Sequence, residues 1–190
     1  MAVFFDIVGS VVFFGILLLT IFVIMGNLNQ ANYEKTYTLN MQTNAVTLAR
    51  IMEYDMLKIG YHVGSPAIIS ADSTSIQFVG DLENDGDTNT VSYYIGSTSE
   101  SVVADTKNPR DRMIYRVVNG QPAIRANLGL TDLKLTYFDS SGVETNSVSL
   151  IRSIGVKFRL ENFEPVYPVH PDVPVYPGVF WEKRIFPRNI

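Results

Sequence analysis

Apolar and polar positions divide the chain into three textures. Residues 3–25, VFFDIVGSVVFFGILLLTIFVIM, are apolar on every helical face, with Asp6 the one charged residue among them. As a helix, this stretch of about 23 residues would be roughly 34 Å long, enough to cross a ~30 Å hydrocarbon core. A soluble core helix that is apolar all round would need a much larger protein around it. A secretory signal would bring a basic start, a shorter apolar run and a small-residue cleavage site, and the segment shows none of these. The expectation is a membrane helix. Its direction is not set by basic residues, since none precedes it and the first to follow is Lys35.

Beyond Gly26 the pattern becomes periodic. Tyr37, Met41, Ala45, Leu48, Met52, Met56 and Ile59 recur every three or four positions, with Gln42, Asn44, Arg50 and Lys58 between them. No proline interrupts residues 1–65. The spacing predicts one long helix, or two with a break near Gly26–Gln30, running to about Ile59 with Gly60 as its stop.

From residue 67 the texture is that of strands and turns. SIQFVG and TVSYYIG alternate apolar and polar residues on either side of the turn-forming DLENDGDTN. RMIYRVV and QPAIRANL flank Asn119-Gly120, the dipeptide best suited to a type I′ hairpin. LKLTYFD runs into the turn SSG, and in SIGVKFRL the residues Ile154, Val156, Phe158 and Leu160 mark a half-buried strand. The proline-dense EPVYPVHPDVPVYPG suits neither helix nor sheet interior, and VFWEKRIFPRNI reads as a last strand. The expected fold is α+β, a long N-terminal helix packed on an antiparallel β-sheet. Its expected divisions are a membrane and assembly helix over 1–26, a soluble half-helix over 27–60, and a β-domain over 61–190 with a proline-rich loop at 164–178.

Composition narrows the function. A net charge of −4 without a basic block argues against a nucleic-acid partner. The absence of cysteine excludes a disulfide framework, a thiolate metal site and a cysteine nucleophile. No phosphate-binding loop, G-x-S-x-G elbow or dinucleotide fingerprint occurs. His62 and His170 are the two histidines, and both read as structural or surface residues. Neither an enzyme nor a small-molecule substrate is expected.

Two acidic features remain. A carboxylate in the middle of a membrane helix costs about 2.5–3.5 kcal/mol, less near an end. A small residue such as Ala2 in second place favours removal of Met1, which leaves a free ammonium on Ala2 and makes Asp6 the fifth residue. Neighbouring copies can then satisfy each other's charges in lipid, so Ala2 and Asp6 are the candidate assembly residues. The simpler reading is that Asp6 lies at the membrane interface and caps the first turn. The other feature is DLENDGDTNTVS. Asp81, Glu83, Asp85 and Asp87 follow the spacing of a calcium loop, but Ser92 stands where the bidentate Glu belongs. Calcium is the one cofactor the sequence suggests, and a solvated hairpin tip is the alternative. The tyrosines and Trp181 around the proline-rich loop suit either a contact surface or packing back onto the sheet.

Several stretches, in this order, resemble the type IV pilin-like superfamily, specifically its minor pilins and the J-type pseudopilins of type II secretion. They are LARIMEYDMLKIGYHV, FVGDLENDGDTNTVSYYI, RMIYRVVNGQPAIRANLGLTDLKLTYFDSSG, LIRSIGVKFRLEN and the closing PRNI. W-type minor pilins are similar. The N-terminus departs from the family pattern, with no leader peptide, no Gly before the apolar run and Asp6 in place of the family's Glu. The resemblance implies a structural subunit of a pilus-like filament or secretion apparatus, with other pilin-like subunits and the membrane as partners. It places the β-domain outside the cytoplasmic membrane or in an extracellular filament, with Asp6 neutralising a neighbour's terminal amine. A single-pass anchored binding module that does not polymerise is the competing expectation.

Overall fold

The chain is described from a computed structural model covering residues 2–64, 66–100, 103, 105–166 and 174–190, with the side chains of residues 2 and 123–125 left aside. One helix, α1, runs from Ala2 to Leu57 without a break at Gly26. Proline-free sequence lets it do so. It ends in tighter turns, Lys58 N donating to Asp55 O (3.0 Å) and Ile59 N to Met56 O (3.3 Å). Gly60 then takes the left-handed conformation (φ 77°) and donates its N–H to Val79 O at 2.9 Å, so the helix stops where the sequence predicted.

The strands are β1 (Ile68–Ala71), β2 (Ser75–Gly80), β3 (Asn89–Ile95), β4 (Arg112–Val118), β5 (Gln121–Phe138), β6 (Ser153–Glu161) and β7 (Gly178–Ile185). They form one antiparallel seven-stranded sheet in sequential order. The fold is α+β as expected. Asn119 (φ 52°) and Gly120 (φ 79°) make the β4–β5 hairpin, with Val118 paired to Gln121. Residues 148–150, part of the stretch before SIGVKFRL, form a short 3-10 turn.

β5 differs from its sequence pattern. QPAIRANL and LKLTYFD are one continuous strand rather than two. Its first half pairs with β4 and its second half with β6, and the pairing changes around Leu130. Gly129 sits at this change with φ 78°, and a Cβ there would collide with the Glu161 carbonyl oxygen. The edge of β5 that β4 leaves free meets the β1–β2 turn. Leu135 N donates to Ser73 O (2.7 Å), and the Tyr137 hydroxyl donates to Asp72 O (2.8 Å) and Ser75 O (3.1 Å). The sheet is therefore curled.

The chain divides into two compact units, Met1–Leu39 and Asn40–Ile190. The division falls inside the helix, between Tyr37 and Met41, where burial begins. Met41, Ala45, Leu48, Ala49, Met52, Met56 and Ile59 are buried, whereas Tyr37 of the same predicted stripe is exposed. In the second unit Met52 and Met56 share one core with Phe78, Tyr93, Phe158 and Leu160. The predicted alternation in β6 holds, with Ile154, Val156, Phe158 and Leu160 all fully buried.

Candidate functional site

In the first unit, the helix has no inward face. Phe4, Phe5, Val11, Phe13, Phe14, Leu19 and Phe22 are all exposed, and the apolar window has no buried share. Among the described residues it is the one helix long and apolar enough to cross a membrane. Its hydroxyls are satisfied within the helix, Ser10 Oγ donating to Asp6 O (2.7 Å) and Thr20 Oγ1 to Ile16 O (2.9 Å). The Asp6 side chain is exposed, and no ion pair to it exists among the described residues. Ala2 opens the helix, four positions before Asp6.

The acidic loop between β2 and β3 is built around one carboxylate. Asp81 is fully buried and accepts from the backbone N–H groups of Asn84 (2.6 Å), Gly86 (3.1 Å) and Asp85 (3.3 Å), and from His62 Nδ1 (2.8 Å). Asn84 (φ 60°) and Gly86 (φ 93°) take left-handed conformations, which turns the amides inward. Burial pushes the Asp81 pKa up, but the bonds from Gly86, His62, Asn84 and Asp85 outweigh it and hold the group below the usual carboxylate range. Glu83, Asp85 and Asp87 are exposed, and Asp85 Oδ1 accepts from Asp87 N at 3.0 Å. The spacing suggested four carboxylates around one ion; in the structure the backbone N–H groups of Asn84, Asp85 and Gly86 are aimed at Asp81, and the other three carboxylates are exposed.

His62 is half exposed, stacked on the Tyr61 ring at 4.1 Å and oriented by Asp81. His170 and residues 167–173 of the proline-rich loop lie outside the described residues. On the flanks of that loop, Trp181 stacks on the buried Phe158 at 5.0 Å, and the Tyr176 hydroxyl donates to Lys107 O at 2.6 Å. These two aromatics pack back onto the domain.

Two buried charged clusters were not singled out from sequence. In the first, Asp55 of α1 receives Arg116 Nε on Oδ2 (2.5 Å) and Arg116 Nη2 on Oδ1 (3.1 Å), and the Tyr93 hydroxyl on Oδ2 (2.5 Å). Burial and the Asp55 charge raise the Tyr93 pKa, and the hydrogen bonds that Arg116 donates to Asp55 raise the Arg116 pKa, so both stay protonated. The available signal was a charge three residues after Met52, on the apolar stripe. In the second, Glu161 of β6 is buried and pairs with Arg110 (2.7 Å) and Arg159 (2.9 Å). Asn108 Nδ2 donates to Glu161 Oε2 and to Asn162 O, both at 3.1 Å. Beside them Asp111 is fully buried, and among the described residues no donor meets the distance and angle of a hydrogen bond to either carboxylate oxygen. Burial pushes its pKa up to about 6. Repulsion from Glu161 adds to the rise, while the Thr106 hydroxyl and Arg110 oppose it.

An open depression of ≈ 780 Å³ lies along β1, lined by Ala67, Ile68, Ile69, Val148, Ile151 and Ile190 among others. Compared with known proteins, the chain matches no family model, no curated protein and no solved structure.

Proposed function

We propose that the chain is a pilin-like structural subunit. It assembles through its N-terminal helix in the inner membrane and displays its β-domain outside the cytoplasm or in an extracellular filament. The observation that carries this reading is the apolar helix exposed on every side with one carboxylate near its start. Such a surface needs lipid or other apolar helices around it, since water would exact about 25 cal/mol for each Å² left uncovered. In lipid the helices have no hydrophobic drive to associate, so packing and polar contacts must hold them together. Asp6 supplies the polar contact by meeting the ammonium of Ala2 on a neighbouring copy. The resemblance of its motifs, in their order, to minor pilins and pseudopilins supports the same assignment.

The test is an Asp6→Asn variant. Filaments sheared from cells should contain the native chain and lack the variant, while both reach the membrane in equal amounts. Because the chain has no cysteine, Val11→Cys provides a clean cross-linking probe, and helix-to-helix adducts should form only when Asp6 is present. Equal recovery of both chains in filaments would overturn the role of Asp6. The depression along β1 favours a second reading, a membrane-anchored binding module that stays monomeric. That reading requires cross-linking to be absent in native bilayers.

A further inference from the structure

Asp111, in the second unit, is a fully buried carboxylate, and among the described residues no donor meets the distance and angle of a hydrogen bond to either oxygen. Ionised carboxylates in such positions are normally paired or bound to a metal. The segment from Thr106 to Asp111 has meanwhile committed its own polar groups. Thr106 Oγ1 donates to Val103 O (3.0 Å) and Asn108 O (3.3 Å), Arg110 N to Asn108 Oδ1 (3.1 Å), and Asp111 N to Asn108 O (3.2 Å). The result is a turn rich in oxygen atoms, with a buried acid at its end whose oxygens meet no hydrogen-bond donor among the described residues. Asn108 ties this turn to Glu161, a second buried acid.

We infer that Asp111, Thr106, Asn108 and Glu161 form a divalent-cation site, with calcium its ligand. All four offer oxygen and none offers sulfur or imidazole, which selects a hard cation over zinc or copper. A carboxylate free to bind through both oxygens, next to neutral hydroxyl and amide oxygens, suits calcium's larger and more variable shell better than magnesium's octahedron. Glu161 is held now by Arg110 and Arg159, whose side chains are 56% and 52% exposed. Arg110 can therefore turn into water and release one Glu161 oxygen to the ion. Two carboxylates and Arg159 then leave one net negative charge facing the cation. This site is separate from the acidic loop at 81–87, whose buried carboxylate is already saturated by amides.

The experiment is calorimetric titration of CaCl₂ into the full-length protein in detergent, after EDTA treatment and dialysis. Three chains are compared: native, Asp111→Asn, and the combined Glu83→Gln, Asp85→Asn, Asp87→Asn variant. Native and combined-variant chains should each bind one ion, and Asp111→Asn none. At a hundredfold excess of calcium over Kd, the native Tm should rise by about 5 °C and that of Asp111→Asn should not move. If Asp111→Asn fails to fold, Thr106→Val decides instead, with affinity about tenfold weaker expected. No heat at millimolar calcium, binding that survives Asp111→Asn (or, in its place, is unweakened by Thr106→Val), or binding lost in the combined variant would overturn the site.

Discussion

Arg116 of β4 and Asp55 of α1, 61 residues apart, form a two-bond ion pair inside the second unit, with Nε–Oδ2 at 2.5 Å and Nη2–Oδ1 at 3.1 Å. The Tyr93 hydroxyl closes the group on the same Asp55 oxygen. Asp55 is buried and Arg116 nearly so, their side chains 1% and 17% exposed. Water cannot replace a lost partner there. Arg116→Met leaves a buried carboxylate with only the Tyr93 hydroxyl, and should cost about 3 kcal/mol of stability. The cost would be seen as a lower urea midpoint followed by near-UV circular dichroism. Replacing both, with Asp55→Leu and Arg116→Met, should recover much of the loss, because no unpaired charge then remains.

Acid sensitivity follows from Asp81. Its pKa is lowered from 3.8 by folding, so its contribution to stability is fully present above that value and lost as pH falls through the lower folded value. Asp81→Asn removes the contribution at every pH. The Tm difference between native protein and variant should therefore be widest at pH 7 and should narrow below pH 3.8. A difference constant down to pH 2.5 would show that the carboxylate charge is not what holds the loop.

Gly129 stands where β5 passes from one partner strand to the other. Gly129→Ala combines a left-handed conformation with a backbone collision at Glu161, and should destabilise by more than about 1 kcal/mol. Gly142→Ala also has a positive φ, but the nearest atom to its Cβ is an Arg184 side-chain nitrogen at 3.7 Å. It should cost only the conformational part. Comparing their urea midpoints separates strain from collision.

Removal of residues 1–39 should leave a folded, soluble β-domain. Among the described residues every buried apolar one, from Met41 onward, lies within 40–190. Circular dichroism and gel filtration of the 40–190 chain should show strand signal and a single monomeric peak. Met52→Ala in that chain should lose about 2–4 kcal/mol, since Met52 is fully buried.

Much of this architecture is local and therefore written in the order of residues. A helix without proline, a Gly60 stop, an Asn119-Gly120 turn and the alternation along β6 each depend on neighbours a few positions away. Sequence alone accordingly determined the long helix, the antiparallel strands, the α+β class and the uniformly apolar start with its lone acid. It could not tell the acids apart. Asp55, Asp81 and Asp111 look alike in the chain, yet one is clamped by an arginine, one filled with amides and one left without a donor. Asp55 meets Tyr93 and Arg116 only when the helix packs on the sheet, and Asp81 meets His62 only across 19 residues of chain. Whether a carboxylate is solvated, paired or left without a donor is a property of its surroundings, and tertiary structure decided it.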